Sequence, residues 1–479
     1  MTKPVSLITA EWQTVSPDPA DPVGRKLVGV SLTGNPSARD LADELTRRGM
    51  LEVLELASGL RVRTTSFVGR VQLGPLQVTI RPKLPGPVLL TLLRYAYSLR
   101  NLRLVGTVDL HPGEITFPDL LIHQLVAEVS ELISRGLHRK YIRQRAELPS
   151  PRGRIDFASL ARRGSPASPA LPCWYNPRLT NCLVNQVLLA GLRVAEGLAQ
   201  DAILRNRVRR VATMVADEVT PVPLNRETFR QALMQTNRLT KSYRPALTLV
   251  EMLVAGHGLS TEPAPPHPRS PDVHVPRIPG HLFDMNRFFQ AVVTRFLSDN
   301  LPGYAVHSEC RVKGIFSYVR GYEAPGRGIP EPRPDIVITL LGSPLVTSRG
   351  PGALGPSKLS TGTLQAAALA VLDVKYRDLW QNPIPTDMLY QVAVYALSQP
   401  RGRAAIIYPT LSPTAREVRM EVRDPLSGFR KAEVALRPLR IDYLAELIQP
   451  AASTTAQQRR EAYARYIAFS AETSPRPSS

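Results

Sequence analysis

The chain has 479 residues, 43% of them hydrophobic, which is enough for two or three domains with their own cores. Its 60 Lys and Arg against 40 Asp and Glu leave a net charge of +20, which favours a polyanion such as nucleic acid as partner, although an Arg-rich solvated surface would give the same count. No apolar run is long enough to span a bilayer, the polar Met1–Pro19 stretch with Glu11 and Asp18 does not read as a secretion signal, and Cys173, Cys182 and Cys310 form no CxxC pair; membrane, disulfide-framework and zinc classes are therefore set aside and a cytoplasmic location is expected.

Residues 1–25, rich in Pro, Asp and Thr, read as a disordered arm without a motif. Residues 26–110 read as a β-rich N-terminal domain, because LRVRTTSFVGRVQLGPLQVTIRPKL alternates apolar and polar residues, with Gly69 and Gly74-Pro75 as turn signals. Apolar spacing of three and four predicts helices over Pro87–Leu99 and Phe117–Leu137. The strongly basic stretch His138–Phe157 is strand-like, and Arg152, Gly153 and Arg154 suggest an exposed turn that could touch DNA or a protein partner.

Helices are then expected over Asn181–Ala199, Ala202–Ala216 and Arg226–Val254, giving a mainly helical middle domain over 111–255. Arg205, Arg207, Arg209 and Arg210 circle the second of these helices rather than forming a stripe, so they carry no assignment. Proline density marks 256–280 as a linker, and the irregular spacing of His257, His267 and His274 within it argues against a metal site.

From 281 to 450 helices and strands alternate: a helix over Asp284–Leu297, strands near Ala305–Val312 and Pro334–Leu340, the strand VLDVKY, a helix over Thr386–Ser398, the strand AAIIYP and two further strand-like runs. A Gly/Ser/Pro-rich insertion at 342–363 interrupts this α/β domain, and 451–479 reads as a helix (Thr454–Phe469) with a tail. The fold class expected is α+β and multidomain.

Candidate chemistry concentrates in two segments of the C-terminal domain. RPDIVI puts Asp335 at the head of an apolar strand, and LDVKY puts Asp373 and Lys375 two apart, hence on one strand face. Phosphodiester hydrolysis needs carboxylates that hold a divalent cation, with a lysine to orient or deprotonate water and to offset charge on the transition state; Asp335, Asp373 and the Val374 carbonyl are candidate Mg²⁺ ligands and Lys375 the candidate lysine. The plain structural alternative is a strand cap at Asp335 and a surface ion pair between Asp373 and Lys375. Against it, Leu372 and Val374 make the run apolar, and downstream MLYQVAVYAL sets Gln391 and Tyr395 four apart on one helical face.

RPDIVI, LDVKY and YQVAVYA, followed by a strand ending Tyr408-Pro409, resemble the PD-(D/E)xK nuclease superfamily, in one branch of which the Gln391/Tyr395 pair is a QxxxY signature. Within it LFDMNRFFQ (Leu282–Gln290), PRGRIDF (Pro151–Phe157) and RPKL (Arg81–Leu84) resemble the McrC family, the nuclease subunits of McrBC modification-dependent restriction systems. The resemblance implies a restriction-endonuclease-like C-terminal domain with a mixed central sheet and catalytic residues Asp335, Asp373, Lys375, Gln391 and Tyr395. It also implies Mg²⁺, an N-terminal region that docks on and activates an McrB-like AAA+ GTPase, and modified double-stranded DNA as the substrate of an antiphage hydrolase.

The chain has no GxxxxGK[ST] loop of its own; GALGPSKLS at Gly352–Ser360 lacks the adjacent Gly-Lys. Where the family usually carries Glu, this chain has Gln290, a poorer metal ligand, so that either two aspartates anchor the metal or the site has decayed. The expected activity is that of an endonuclease subunit; the alternatives are an inactive adaptor of an AAA+ motor and a RecB-like exonuclease acting alone.

Overall fold

A computed structural model describes residues 5–102, 116–162, 169–238, 240–255, 280–312, 315–319, 322, 329, 331–341, 363–364, 369–449 and 453–470. The expected linker (to residue 279), the 342–363 insertion up to residue 362 and the tail beyond residue 470 lie outside the described residues.

The N-terminal part holds β1 (Val5–Ala10), β2 (Thr14–Val15), α1 (Pro36–Arg47), β3 (Leu51–Leu56), β4 (Gly59–Thr64), β5 (Phe67–Leu73) and β6 (Leu76–Arg81). Strand β1 runs parallel to β6, which pairs antiparallel with β5, while β2, β4 and β3 form a second sheet; Leu7, Leu45, Leu60, Val71 and Val78 share the core between them.

Three expectations are corrected here. From Val5 onward the supposed arm is ordered, because strand β1 buries Leu7 completely. Helix α1 interrupts what was read as strands only: Asn35 accepts the Ala38 N–H as N-cap, Pro36 opens the first turn, and Ala38, Ala42 and Leu45 bury one face. Gly69 is no turn but lies inside β5 at φ +131°, where a Cβ would stand 2.0 Å from the His281 carbonyl oxygen. Gly74-Pro75 does turn the chain between β5 and β6.

The middle of the chain comprises α2 (Gly86–Tyr97), α3 (Phe117–Ser134), β7 (Lys140–Tyr141), β8 (Gln144–Leu148), β9 (Arg154–Ile155), α4 (Phe157–Arg162), β10 (Leu171–Tyr175), β11 (Arg178–Leu179), α5 (Leu183–Leu198), α6 (Ala202–Ala216), α7 (Arg226–Met234) and α8 (Arg244–Ala255). Helix α3 is buried nearly all round by α5, α6 and α8, and its interior Glu128 pairs with Arg100 at 2.5 Å. The single helix expected over Arg226–Val254 is two: a turn closed by the Asn237 N–H on Thr240 Oγ1 separates α7 from α8, whose first turn holds Pro245, a residue that a continuous helix would not tolerate.

The remainder contains β12 (Gly280–Asp284), α9 (Met285–Asn300), β13 (Tyr304–Ser308), β14 (Arg311–Val312), β15 (Ile336–Leu340), β16 (Thr363–Leu364), β17 (Ala370–Val374), α10 (Thr386–Ser398), β18 (Arg403–Thr410), β19 (Val418–Arg423), β20 (Arg430–Arg440), α11 (Ile441–Leu447) and α12 (Thr454–Phe469). A mixed six-stranded sheet runs β13-β15-β17-β18-β20-β19. Its period-2 alternation sends Leu372, Val374, Ala405 and Ile407 into the core with Phe289, Val292 and Phe296 of α9, while Val371, Ala404 and Ile406 pack with Val392 and Tyr395 of α10. Strand β12, which opens the segment read as the C-terminal domain, pairs antiparallel with β5 of the N-terminal sheet and leads directly into α9. The N-terminal sheet and the six-stranded sheet are thus joined through α9.

Candidate active site

Antiparallel pairing of β15 with β17 matches Ile336 to Leu372, and one further step in that register sets Asp335 opposite Asp373. Two carboxylates face to face on adjacent strands repel, so the arrangement costs free energy unless a cation stands between them. Lys375 supplies part of that charge, with Nζ 2.9 Å from Asp373 Oδ2 and 3.9 Å from Asp335 Oδ2. The Val374 N–H donates to Asp335 Oδ2 at 2.7 Å, and the Lys375 N–H donates to the Ile407 carbonyl at 3.0 Å, which anchors the end of β17 on both sides. The three residues that the sequence singled out therefore form one cluster, on the sheet face covered by α10.

Asp373 is 1% exposed, and Lys375 Nζ, 2.9 Å from Oδ2, stands as its counter-charge. Burial, and then the charge of Asp373, push the Asp335 carboxyl up to about 7, against the pull of Lys375 and of the Val374 N–H. Burial alone would lower the affinity of Lys375 for its proton, but the two carboxylates outweigh it and its pKa is raised, so the ammonium is charged at neutral pH. A structural ion pair on a surface would show none of this desolvation.

Gln391 Nε2 donates to Tyr395 Oη at 3.0 Å, and the charges of Asp373, Asp335 and Lys375 all act on the Tyr395 hydroxyl, whose pKa burial raises first. Gln290, on α9, places Nε2 3.4 Å from the Asp335 carbonyl oxygen, at the edge of hydrogen bonding. Residue 290 thus reaches the Asp335 main chain from the opposite sheet face. Arg152, Gly153 and Arg154 are elsewhere, exposed on the small β8-β10-β9 sheet, with Arg152 5.3 Å from the Tyr175 ring centroid and Gly153 at φ +74°.

A hard divalent cation fits the donor set: a buried carboxylate whose side-chain partner is the Lys375 ammonium at Oδ2 faces a second carboxylate of which Oδ2 is engaged by a backbone N–H. No group of three or more His, Cys, Asp and Glu side chains suited to a metal occurs among the described residues. All three cysteines are buried, and no described helix is long and apolar enough to cross a membrane.

Sequence reasoning missed a layer behind the site. Tyr376, directly after Lys375, is held through its N–H by Asn286 Oδ1 at 3.1 Å, through its carbonyl by Trp12 Nε1 at 3.2 Å and through its hydroxyl by Glu11 Oε1 at 3.3 Å. Asn286 lies within the quoted LFDMNRFFQ stretch, so its position was available; for Glu11 and Trp12 no local signal existed.

The family described as McrBC 5-methylcytosine restriction system component matches residues 62–344. A chain in the half-complex from the tetradecameric assembly of Thermococcus gammatolerans McrB AAA+ hexamers with bound McrC is similar in fold, at TM-score 0.59 and 16% identity, covering 96% of this chain and 100% of that one. A chain in the Thermococcus gammatolerans McrBC complex aligns at TM-score 0.42 and 16% identity over 62% of this chain and 88% of its own. None of the curated proteins matches the sequence.

Proposed function

The chain belongs to the McrBC 5-methylcytosine restriction system component family, and on that premise we propose that it is the nuclease subunit of such a system, a PD-(D/E)xK endonuclease that cuts modified double-stranded DNA when assembled with an McrB-like AAA+ GTPase. One observation carries the nuclease reading: two opposed carboxylates, one of them fully buried, share a single lysine. Such an arrangement is costly unless a cation and an anionic substrate complete it. The partner reading draws on family membership and on the fold shared with a chain of the McrB–McrC assembly.

Asp335, Asp373 and the Val374 carbonyl are the groups that would hold Mg²⁺, which when bound polarises the scissile phosphate and acidifies a water. The chain's own residues do the rest. Lys375, charged at neutral pH, donates toward a phosphate oxygen or the attacking water and offsets the negative charge that builds in the transition state. Gln391 occupies the Tyr395 oxygen as an acceptor, which turns the phenolic proton outward as a donor to the carboxylate pair or to the phosphate. The net charge of +20 favours approach to DNA.

A second reading rests on Gln290. With an amide where the family usually has a carboxylate, the chain would keep its motor-activating surface and lose cleavage. Incubating the chain with the AAA+ product of a neighbouring gene, GTP or ATP, Mg²⁺ and closed circular methylated plasmid separates the readings. Linearisation that requires the motor supports the endonuclease. Full stimulation of nucleotide hydrolysis with intact plasmid would establish the adaptor instead, and motor-independent degradation of linear DNA alone would establish an exonuclease.

A further inference from the structure

We propose that the Glu11–Trp12 turn of the N-terminal sheet is a positioning element for Lys375, acting through Tyr376; the inference rests on the nuclease reading above. Tyr376 is 4% exposed and directly follows the lysine, and each of its three polar groups is held by a residue of the N-terminal sheet or of α9. Trp12 Nε1 donates to its carbonyl across 364 residues of sequence, and Glu11 Oε1 accepts both its hydroxyl proton and, at 2.9 Å, the N–H of Lys83, which follows β6. Asn286, which accepts its N–H, is itself fixed by donating to Ser66 Oγ at 2.7 Å, beside the start of β5. The Arg377 guanidinium, on the far side of Tyr376 from the lysine, stands 5.6 Å from the Trp12 ring centroid.

The turn that presents these groups is held in place with some strain. Trp12 has φ +57°, a region that L residues with large side chains seldom occupy. Thr64 Oγ1 donates to the Ala10 carbonyl at 2.8 Å and accepts the Gln13 N–H at 2.8 Å, and the Trp12 N–H donates to the Thr65 carbonyl at 3.3 Å. A turn serving only to pack two layers would need neither the left-handed tryptophan nor bonds converging on one residue just past the catalytic strand.

Glu11 is completely buried, and burial pushes its carboxyl up to about 8, so at neutral pH it is a neutral group that an amide can imitate. The consequence is mechanical. Lys375 Nζ must sit between two carboxylates, and misplacement by an ångström at such a centre costs up to about a hundredfold in rate. If the N-terminal region docks on the motor, as the family resemblance implies, this wiring to the residue after the lysine would tie the geometry of cleavage to that of docking.

The test uses the full chain assembled with its motor, comparing wild type with Trp12→Phe, Tyr376→Phe, Glu11→Leu and Glu11→Gln. The first two keep an aromatic ring and remove one bond each. We expect kcat for plasmid cleavage to fall about tenfold in Trp12→Phe, Tyr376→Phe and Glu11→Leu, with KM for DNA, stimulated nucleotide hydrolysis and melting temperature nearly unchanged, and expect Glu11→Gln to retain most of the activity. Unaltered kcat in Trp12→Phe and Tyr376→Phe would overturn the proposal. A parallel loss of cleavage, nucleotide hydrolysis and melting temperature would overturn it too, by making the turn a general support. If wild type cleaves no better than Lys375→Ala, the nuclease reading itself fails and the positioning role falls with it.

Discussion

Asp335→Asn is expected to abolish cleavage and yet to stabilise the metal-free protein. The folded state raises the Asp335 carboxyl from 3.8 to about 7, which at ~1.4 kcal/mol per tenfold change in proton affinity amounts to roughly 4 kcal/mol against the ionised form. The side chain keeps 23% of its surface exposed and shares Lys375 with Asp373, so screening reduces the usable figure to about 2 kcal/mol. Asparagine keeps an oxygen for the Val374 N–H, and exchanging a charged for a neutral acceptor there costs about 1 kcal/mol.

The net expectation is a gain of about 1 kcal/mol above pH 7. Because the folded pKa lies above the unfolded one, the wild type is unpenalised below about pH 4 and loses stability progressively as pH rises to about 7, whereas the variant does not. A chain of this size need not unfold in two states, so the suitable assay is native-state hydrogen exchange of the β15 and β17 amides in EDTA at pH 5 and pH 8, corrected for intrinsic exchange. Equal or lower protection in the variant at pH 8 would refute the reasoning and make Asp335 a structural cap of β17.

Gln290→Glu should lower the Mg²⁺ concentration for half-maximal cleavage by about tenfold, as a ligand or near-ligand carboxylate does, while destabilising the metal-free site by adding a third negative charge; an unchanged Mg²⁺ titration would remove residue 290 from the metal's surroundings. Replacing both Arg152 and Arg154 by Ala should reduce stimulated nucleotide hydrolysis and cleavage together, because the turn is exposed on its own small sheet; a change confined to DNA affinity and its salt dependence would assign it to DNA instead. Chelation by EDTA should stop cleavage without dissociating the complex, and readdition of Mg²⁺ should restore it; activity that survives chelation would contradict a metal centre.

The cluster is legible because extended backbone through β17 and the residue after it sets Asp373 and Lys375 on one side. The setting of Asp335 followed from the apolar run after it, and Gln391 and Tyr395 from helical spacing. What stayed hidden depended on pairing between distant segments. Nothing in GHLFD says that it joins β5, since register is decided by the partner strand. Nothing in Glu11-Trp12 announces a contact with Tyr376, and a stretch rich in Pro and Asp was read as an arm although Leu7 alternates into a core. Glycine's two uses, left-handed turns and close backbone approach, look alike in sequence, which is why Gly69 reads there as a turn residue. The helix α1 could have been found from Asn35-Pro36, a cap signal outweighed by the strands that follow it.

The central claim is tested most directly by measuring plasmid cleavage and stimulated nucleotide hydrolysis in the same reaction, with wild type, Asp373→Ala and Lys375→Ala each assembled with the motor in Mg²⁺. The account predicts that both variants assemble and stimulate hydrolysis as wild type does while cleavage falls by at least about a thousandfold, the scale on which loss of a central electrostatic group acts. Cleavage by either variant at the wild-type rate would contradict it.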